Sequence, residues 1–310
     1  MPRDLHILPQ FADGLSFLYL EHAKIEADSS AVVAYQKEGA VAIPAAALAV
    51  LLLGPGTSIT HIAVKTLADN GCSIVWVGEG CQRMYASGIG ETRRSARLLK
   101  QALLWANPKS RQEVIRRMYE IRFLDPLPPD LSLQQIRGME GVRVREAYAK
   151  AAKETNVAWH GRSFTPGEWN KADPVNRALS AANSCLYGIC HAAIVSAGYS
   201  PGIGFIHTGK MLSFVYDVAD FFKADTVIPA AFLAVKENQA EVEKTVRRIF
   251  RMKVDETKLL SRILPAIDRV FLVPPVLAES VFDNDAAIPA WLWDETLPVP
   301  GGVNYGGDCA

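Results

Sequence analysis

RMYASGIGETRRSARLLKQALLWAN, Arg83–Asn107, is where the chain changes character. Its opening residues, RMYAS, are a short run bounded by turn residues and read as a strand. Gly88-Ile89-Gly90 then interrupts. From Ser95 to Asn107 the sequence contains no Gly or Pro and is dominated by Ala, Leu, Arg, Lys and Gln, which predicts a helix. Residues before this point mostly resemble the first half of the stretch, and residues after it the second.

Upstream, SFLYL, AVVAYQ, VAI, AVLLL and SIVWV are short β-branched or aromatic runs between turn residues. One helix is expected among them, starting after Gly54-Pro55-Gly56 with Thr57 or Ser58 as cap and stopping at Asn70-Gly71. Downstream, helices are expected over Ser110–Phe123, Ser132–Lys153, Pro174–Ala197, Lys210–Ala219 and Glu241–Phe250. The third of these is marked by Asp173 as cap, Pro174 at its first position and Gly198 after its end. The expected fold class is α+β, an N-terminal β-sandwich domain (residues 1–88) followed by a larger all-α catalytic domain (89–270). Residues 271–310 read as an acidic, Pro-rich C-terminal tail with Trp291 and Trp293.

The 310 residues, 49% hydrophobic, suffice for a sizeable core. No apolar run was expected to reach the ~20 residues of a membrane span. The five cysteines form no CxxC pair, which supports neither a zinc site nor a disulfide framework and suggests a reduced, cytoplasmic protein. Lys and Arg total 33 and Asp and Glu 33, yet the charge is unevenly spread. From Phe271 to Ala310 there are six acidic residues and no Lys or Arg, whereas Arg83 to Arg122 holds ten basic residues against three acidic. Such a segment is either a solvated helix surface or a phosphate-binding face, on which Arg83, Arg93, Arg94 and Arg97 would grip a DNA backbone.

GFIHTGKMLSFVYDVADFF, Gly204–Phe222, is mostly apolar but carries His207, Asp217 and Asp220. Ionised carboxylates are costly to bury unless paired, hydrogen-bonded or bound to a cation. On a helix, positions 217 and 220 share a face, and a bend at Thr208-Gly209 would bring His207 over them. Two readings are open: a divalent-metal shell, or a satisfied core histidine with aspartates serving a helix dipole or an arginine. In IRGMEGVRVREAYAK, Ile136–Lys150, Gly138 and Gly141 flank Glu140, giving either tight helix packing or room for a ligand. Arg137, Arg143 and Arg145 surround it.

RGMEG (Arg137–Gly141), GFIHTGK (Gly204–Lys210) and SFVYDVAD (Ser213–Asp220) resemble the motifs of the CRISPR-associated integrase, the Cas-one family of spacer acquisition, in its type I-E branch. PGTSITHIAV, VWVGEG, RMYASG, ANSCLYGI and AGYSPGIGFIHTGK are similar in the same order, and the resemblance covers roughly residues 1–265. It implies a β-sandwich followed by a helical domain. It also implies that Glu140, His207 and Asp220 ligate Mg²⁺ or Mn²⁺, with Asp217 nearby and Lys210 a candidate for the scissile phosphate. By the same resemblance Tyr187 and Tyr216 lie near the metal, where they either stack on an unpaired base or pack as ordinary core residues; Arg137, beside Glu140, is expected to contact DNA. At the start of the strand region the relatives carry a duplex-wedging tyrosine, and here the matching position is His22.

The implied partners are double-stranded DNA (protospacer and CRISPR repeat), a second copy in a homodimer and the Cas-two protein, with no membrane. The implied reaction is metal-dependent transesterification joining the 3′-hydroxyl ends of a short DNA to the repeat. A repair nuclease using the same site and a noncatalytic DNA-binding scaffold are the alternatives.

Overall fold

The computed structural model describes residues 16–28, 31–37, 39–79, 84–88, 95–162, 172–272, 291–292 and 299–300. Up to Gly88 strands dominate. β1 (Ser16–Leu20), β5 (Leu48–Leu53) and β7 (Ser73–Val77) run parallel side by side, and β8 (Met84–Gly88) closes this sheet antiparallel to β7. The second sheet has the order β4 (Gly39–Ile43), β3 (Ala31–Gln36), β2 (Lys24–Asp28), β6 (Ser58–Ile59). There β3 is antiparallel to both its neighbours.

β5 reads LAVLLL, the continuous apolar run of a central parallel strand buried on both faces. Alternate residues of a strand point to opposite sides. Leu51 and Leu53 enter a core shared with Ile25, Val32 and Ala34 of the second sheet. Val50 and Leu52 point the other way, into the core of the helical half. The expected sandwich is therefore present, and its first sheet also walls the helices.

α1 (His61–Asp69) begins later than Thr57 or Ser58. Ser58–Ile59 pairs with β2 instead, and the Thr57 hydroxyl donates to the Gly54 carbonyl at 2.6 Å. Thr60 is the cap, its side chain accepting from the Ala63 N–H at 3.4 Å.

The helical half comprises α2 (Ala96–Ala106), α3 (Pro108–Phe123), α4 (Leu133–Thr155), α5 (Pro174–Ser196), α6 (Ser213–Ala219), α7 (Val227–Glu237), α8 (Val242–Glu256) and α9 (Leu259–Phe271). Asp173 caps α5 and Pro174 opens it, as expected. Residues 174–195 are long and apolar enough to cross a membrane, yet 83% of the apolar window is buried, as in a core helix. α5 lies so close to the sheet that a Cβ at Gly188 would meet Leu52 Cδ2 at 2.9 Å. α7 and α9 extend beyond the helices expected from sequence, and α9 holds Pro265 inside. Phe271 is buried and stacks on Phe214 at 5.5 Å, so the chain is still part of the core there. Most of 271–310, including Trp293, lies outside the described residues. Within it, Trp291–Leu292 pairs antiparallel with Val299–Pro300.

Candidate active site

The segment between α5 and α7 holds five of the singled-out side chains, His207, Lys210, Tyr216, Asp217 and Asp220. Gly209 adopts φ +81°, the bend expected at Thr208-Gly209. The turn brings His207 Nδ1 to 2.7 Å from Asp217 Oδ1. Asp217 is fully buried, and its carboxylate also accepts the backbone N–H groups of Phe205, Ile206 and His207 at 2.6, 3.1 and 2.9 Å. Its role is to staple the 205–207 loop onto α6 and to fix the imidazole, which leaves Nε2 as the outward-facing nitrogen.

Asp220 does something different. Its Oδ1 pairs with Lys223 Nζ at 2.7 Å, and its Oδ2 forms an ion pair with Arg122 Nη2 at 3.2 Å. Burial opposes ionisation of this carboxyl, but Lys223 and Arg122 outweigh it and hold Asp220 below its ordinary range. The converse holds for Lys223. Burial alone would lower its affinity for protons, while Asp220 and Tyr187 raise it above the usual lysine value. The two aspartates share a helix face but no cation, so their like charges are kept apart by different partners.

Glu140, from α4, meets the same arginine. Arg122 Nη1 lies 3.4 Å from Glu140 Oε1, and Arg143 binds both Glu140 oxygens at 2.8 and 2.9 Å. One guanidinium thus bridges Glu140 and Asp220. It is 3% exposed and lies over Tyr119 and Phe221, 5.1 and 6.0 Å from their ring centres. A cavity of about 280 Å³ opens beside it, with Glu140, Arg143, Asp220 and Lys223 along one side and Tyr148 on an apolar wall. At Gly138 an added Cβ would meet nothing within 4 Å, and at Gly141 only an Arg145 side-chain nitrogen. Among the described residues, therefore, nothing packs closely on the glycines around Glu140.

Tyr187 and Tyr216 pack edge to face at 5.1 Å, Tyr216 touches the His207 ring edge-on at 5.9 Å, and Lys223 lies over Tyr187 at 5.1 Å. The aromatic pair thereby links His207 to Asp220. Lys210 is exposed on the bend, and Arg137 is exposed on α4, three residues before Glu140. His22 is exposed in the β1–β2 turn at φ +51°. Arg97 is tied to Asp268 at 3.3 Å and lies over Tyr199. Arg83, Arg93 and Arg94 lie outside the described residues. Sequence reasoning assigned no role at the carboxylates to Arg122, Arg143 or Lys223. Lys223 was legible as an i,i+3 partner of Asp220, and Arg143 as one of Glu140. Nothing local marks Arg122, whose partner Asp220 is far along the chain.

Among the described residues, no three acidic, imidazole or thiol groups are gathered as a metal shell in this arrangement, because cationic side chains hold the carboxylate oxygens. The donors nonetheless fit a hard divalent cation. Two carboxylates converge on one guanidinium, and a nearby imidazole is oriented through its other nitrogen by a buried carboxylate, as metal-binding histidines are.

Acidic groups set among excess cations beside an open cavity suit chemistry on a polyanion. The family model for CRISPR associated protein Cas1 matches residues 119–260. Over 308 residues the chain is 53% identical to the CRISPR-associated endonuclease Cas1 2 of Thermus thermophilus, covering 99% of this chain and 94% of that protein. Over 287 residues it is 42% identical to the CRISPR-associated endonuclease Cas1 of Escherichia coli, covering 91% and 94%. A crystal structure of a TtCas1–DNA complex superposes with a TM-score of 0.78 at 49% identity, covering 93% of this chain and all of that one. The chain belongs to the Cas1 family of CRISPR-associated proteins.

Proposed function

We propose that the protein is a divalent-metal-dependent DNA integrase of CRISPR adaptation, acting as a homodimer with the Cas-two protein. The observation that carries this is the convergence of Glu140 and Asp220 on Arg122 beside His207, whose ring Asp217 orients. It stands with the relatives named as Cas1 endonucleases and the relative bound to DNA.

Glu140, Asp220 and His207 Nε2 would hold Mg²⁺ or Mn²⁺. When bound, the ion supplies Lewis-acid polarisation of the phosphoryl oxygen and lowers the cost of forming the attacking alkoxide. The chain's own residues do the rest. Asp217 keeps the imidazole turned through its Nδ1. Arg122 sets the separation of the two carboxylates. Lys210 and Arg137, both exposed, meet DNA phosphates. Tyr187 and Tyr216 supply apolar edges against which an unpaired base rests.

In the reaction, a 3′-hydroxyl of the incoming duplex attacks a repeat phosphodiester. One P–O bond forms and the bond to the repeat's 3′-oxygen breaks, and the hydroxyl proton passes to the departing oxygen through solvent. The number of phosphodiester links is unchanged, so no energy-rich co-substrate is required. The test combines the purified protein with the Cas-two protein, a CRISPR-repeat plasmid, a short duplex with 3′-hydroxyl ends, and Mn²⁺ or Mg²⁺. Covalent joining of the duplex at the repeat is the expected result. Cutting without joining under all these conditions would instead assign the site to a hydrolytic nuclease.

A further inference from the structure

Every carboxylate oxygen of Glu140 and Asp220 is taken by a cationic nitrogen of the same chain, but the three cations are not held alike. Arg122 is 3% exposed, sits over two aromatic rings and also donates to the backbone oxygen of Asp217 at 3.4 Å. Swinging it out would leave a deep cavity among apolar groups. Arg143 and Lys223 are 25% and 29% exposed, line the cavity as Arg122 does, and are joined to the backbone by long flexible stems, with Lys223 also lying over the Tyr187 ring at 5.1 Å.

Two carboxylates already face three cations. A divalent ion added to that set would raise the positive excess from one charge to three in a half-buried space, where like charges repel far more strongly than in water. The outer cations occupy the very oxygens that a metal would need, Glu140 Oε2 and Asp220 Oδ1. We propose that Arg143 and Lys223 are exchangeable. A divalent cation at the carboxylates displaces them, and once displaced they bind the phosphate of the DNA strand entering the cavity, while Arg122 remains as the fixed spacer. The exchange rests on the metal reading of this site. It makes metal and DNA mutually reinforcing ligands: the ion liberates two phosphate-binding groups, and the phosphate offsets the charge that the ion brings. By linkage, each ligand tightens the other by the same factor.

The full-length protein is titrated with Mn²⁺, without DNA, by electron paramagnetic resonance of the unbound ion. Binding of a duplex with 3′-deoxy ends, which cannot be joined, is then measured with and without Mn²⁺. Wild type is expected to bind Mn²⁺ and Glu140→Ala to lose that binding. Arg143→Gln and Lys223→Gln should each bind Mn²⁺ about tenfold tighter, within the ~5–150-fold range usual for coupled sites. Arg145→Gln, which removes a charge from the same helix without touching either carboxylate, should stay within about twofold of wild type by the weakness of exposed charges. Mn²⁺ should tighten DNA binding about tenfold in wild type and less than about threefold in the Arg143→Gln/Lys223→Gln protein. If Lys223→Gln does not fold, Arg143→Gln carries the same comparison. Unchanged Mn²⁺ affinity in the Arg143 and Lys223 variants, with Glu140→Ala still abolishing binding, would overturn the exchange and leave the metal site standing. No Mn²⁺ binding by wild type would overturn both.

Discussion

Four basic side chains of α2 and α3 end on carbonyl oxygens, whereas the cations at the Glu140–Asp220 site end on carboxylates. Lys100 donates to Leu272, Arg111 to Phe205, Arg116 to Leu131 and Arg117 to Val270, at 2.9, 3.2, 2.9 and 2.6 Å. A carbonyl orients a cation without cancelling its charge, so these groups pin neighbouring segments together and still project a positive field. Arg122, Arg143 and Lys223 face ionised partners, and their charge is largely balanced locally. These described members of the basic segment read from the sequence thus serve as scaffold.

The largest expected effect comes from removing one carboxylate. Asp220→Ala should slow strand joining about a thousandfold or more, on the scale of losing a main electrostatic stabiliser, while circular dichroism shows the fold retained. Joining at the wild-type rate would take Asp220 out of the reacting centre. Arg122→Met breaks the bridge between the two carboxylates and should cost ~3–5 kcal/mol in chemical denaturation, as for a buried ion pair deprived of one partner. A change below that cost would mean that Arg143 and Lys223 alone balance the site.

Asp217→Ala comes next. It strands the buried N–H groups of the 205–207 loop, so a loss of about 3 kcal/mol is expected on melting or denaturant unfolding. That makes Asp217 a structural anchor as well as a guide for His207. In the other region, Arg116→Gln and Arg117→Gln should each cost ~1 kcal/mol. Each should also reduce the salt slope of DNA binding by about one if its charge reaches phosphate, and not at all if that face points away.

The smallest effect tests an arginine–carboxylate pair outside the cavity lining. Arg177 binds Glu243 at 2.7 Å. Burial opposes ionisation of Glu243, but the Arg177 hydrogen bonds prevail and hold its carboxyl below the ordinary range. A depressed carboxyl contributes stability above its unfolded value of ~4.3 and loses it as pH falls through the folded value. Glu243→Gln should therefore cost less than ~1 kcal/mol at pH 7, and the gap to wild type should close in denaturation curves taken below about pH 4.

Much of this was legible because it is local. The apolar run of β5, the Asp173-Pro174 start of α5 and the bend before Asp217 all lie within a few residues of their cause. α7 went unread because it is apolar nearly all round, which erases the amphipathic period. α9 went unread because Pro265 interrupts a pattern that the packed core nevertheless keeps helical. At the site, His207, Asp217 and Asp220 stood out as charges in apolar sequence. The work of Asp217 did not, because its partners are backbone N–H groups that no pattern of side chains reveals. Arg122 sits 95 residues before the Asp217 carbonyl it binds, a distance that only folding closes.

β5 has a consequence for how the molecule comes apart. Its alternating residues are one wall of two cores, Leu51 and Leu53 for the sandwich and Val50 and Leu52 for the helices. Neither core keeps its lining once that strand is lost, so heat should dissolve both in a single cooperative step. The place where the sequence changes character is accordingly a poor place to divide the protein. A fragment beginning at residue 89 would carry the carboxylates and their cations but expose the face of α5 that rests on Leu52, and would be expected to aggregate rather than stand as an enzyme in miniature.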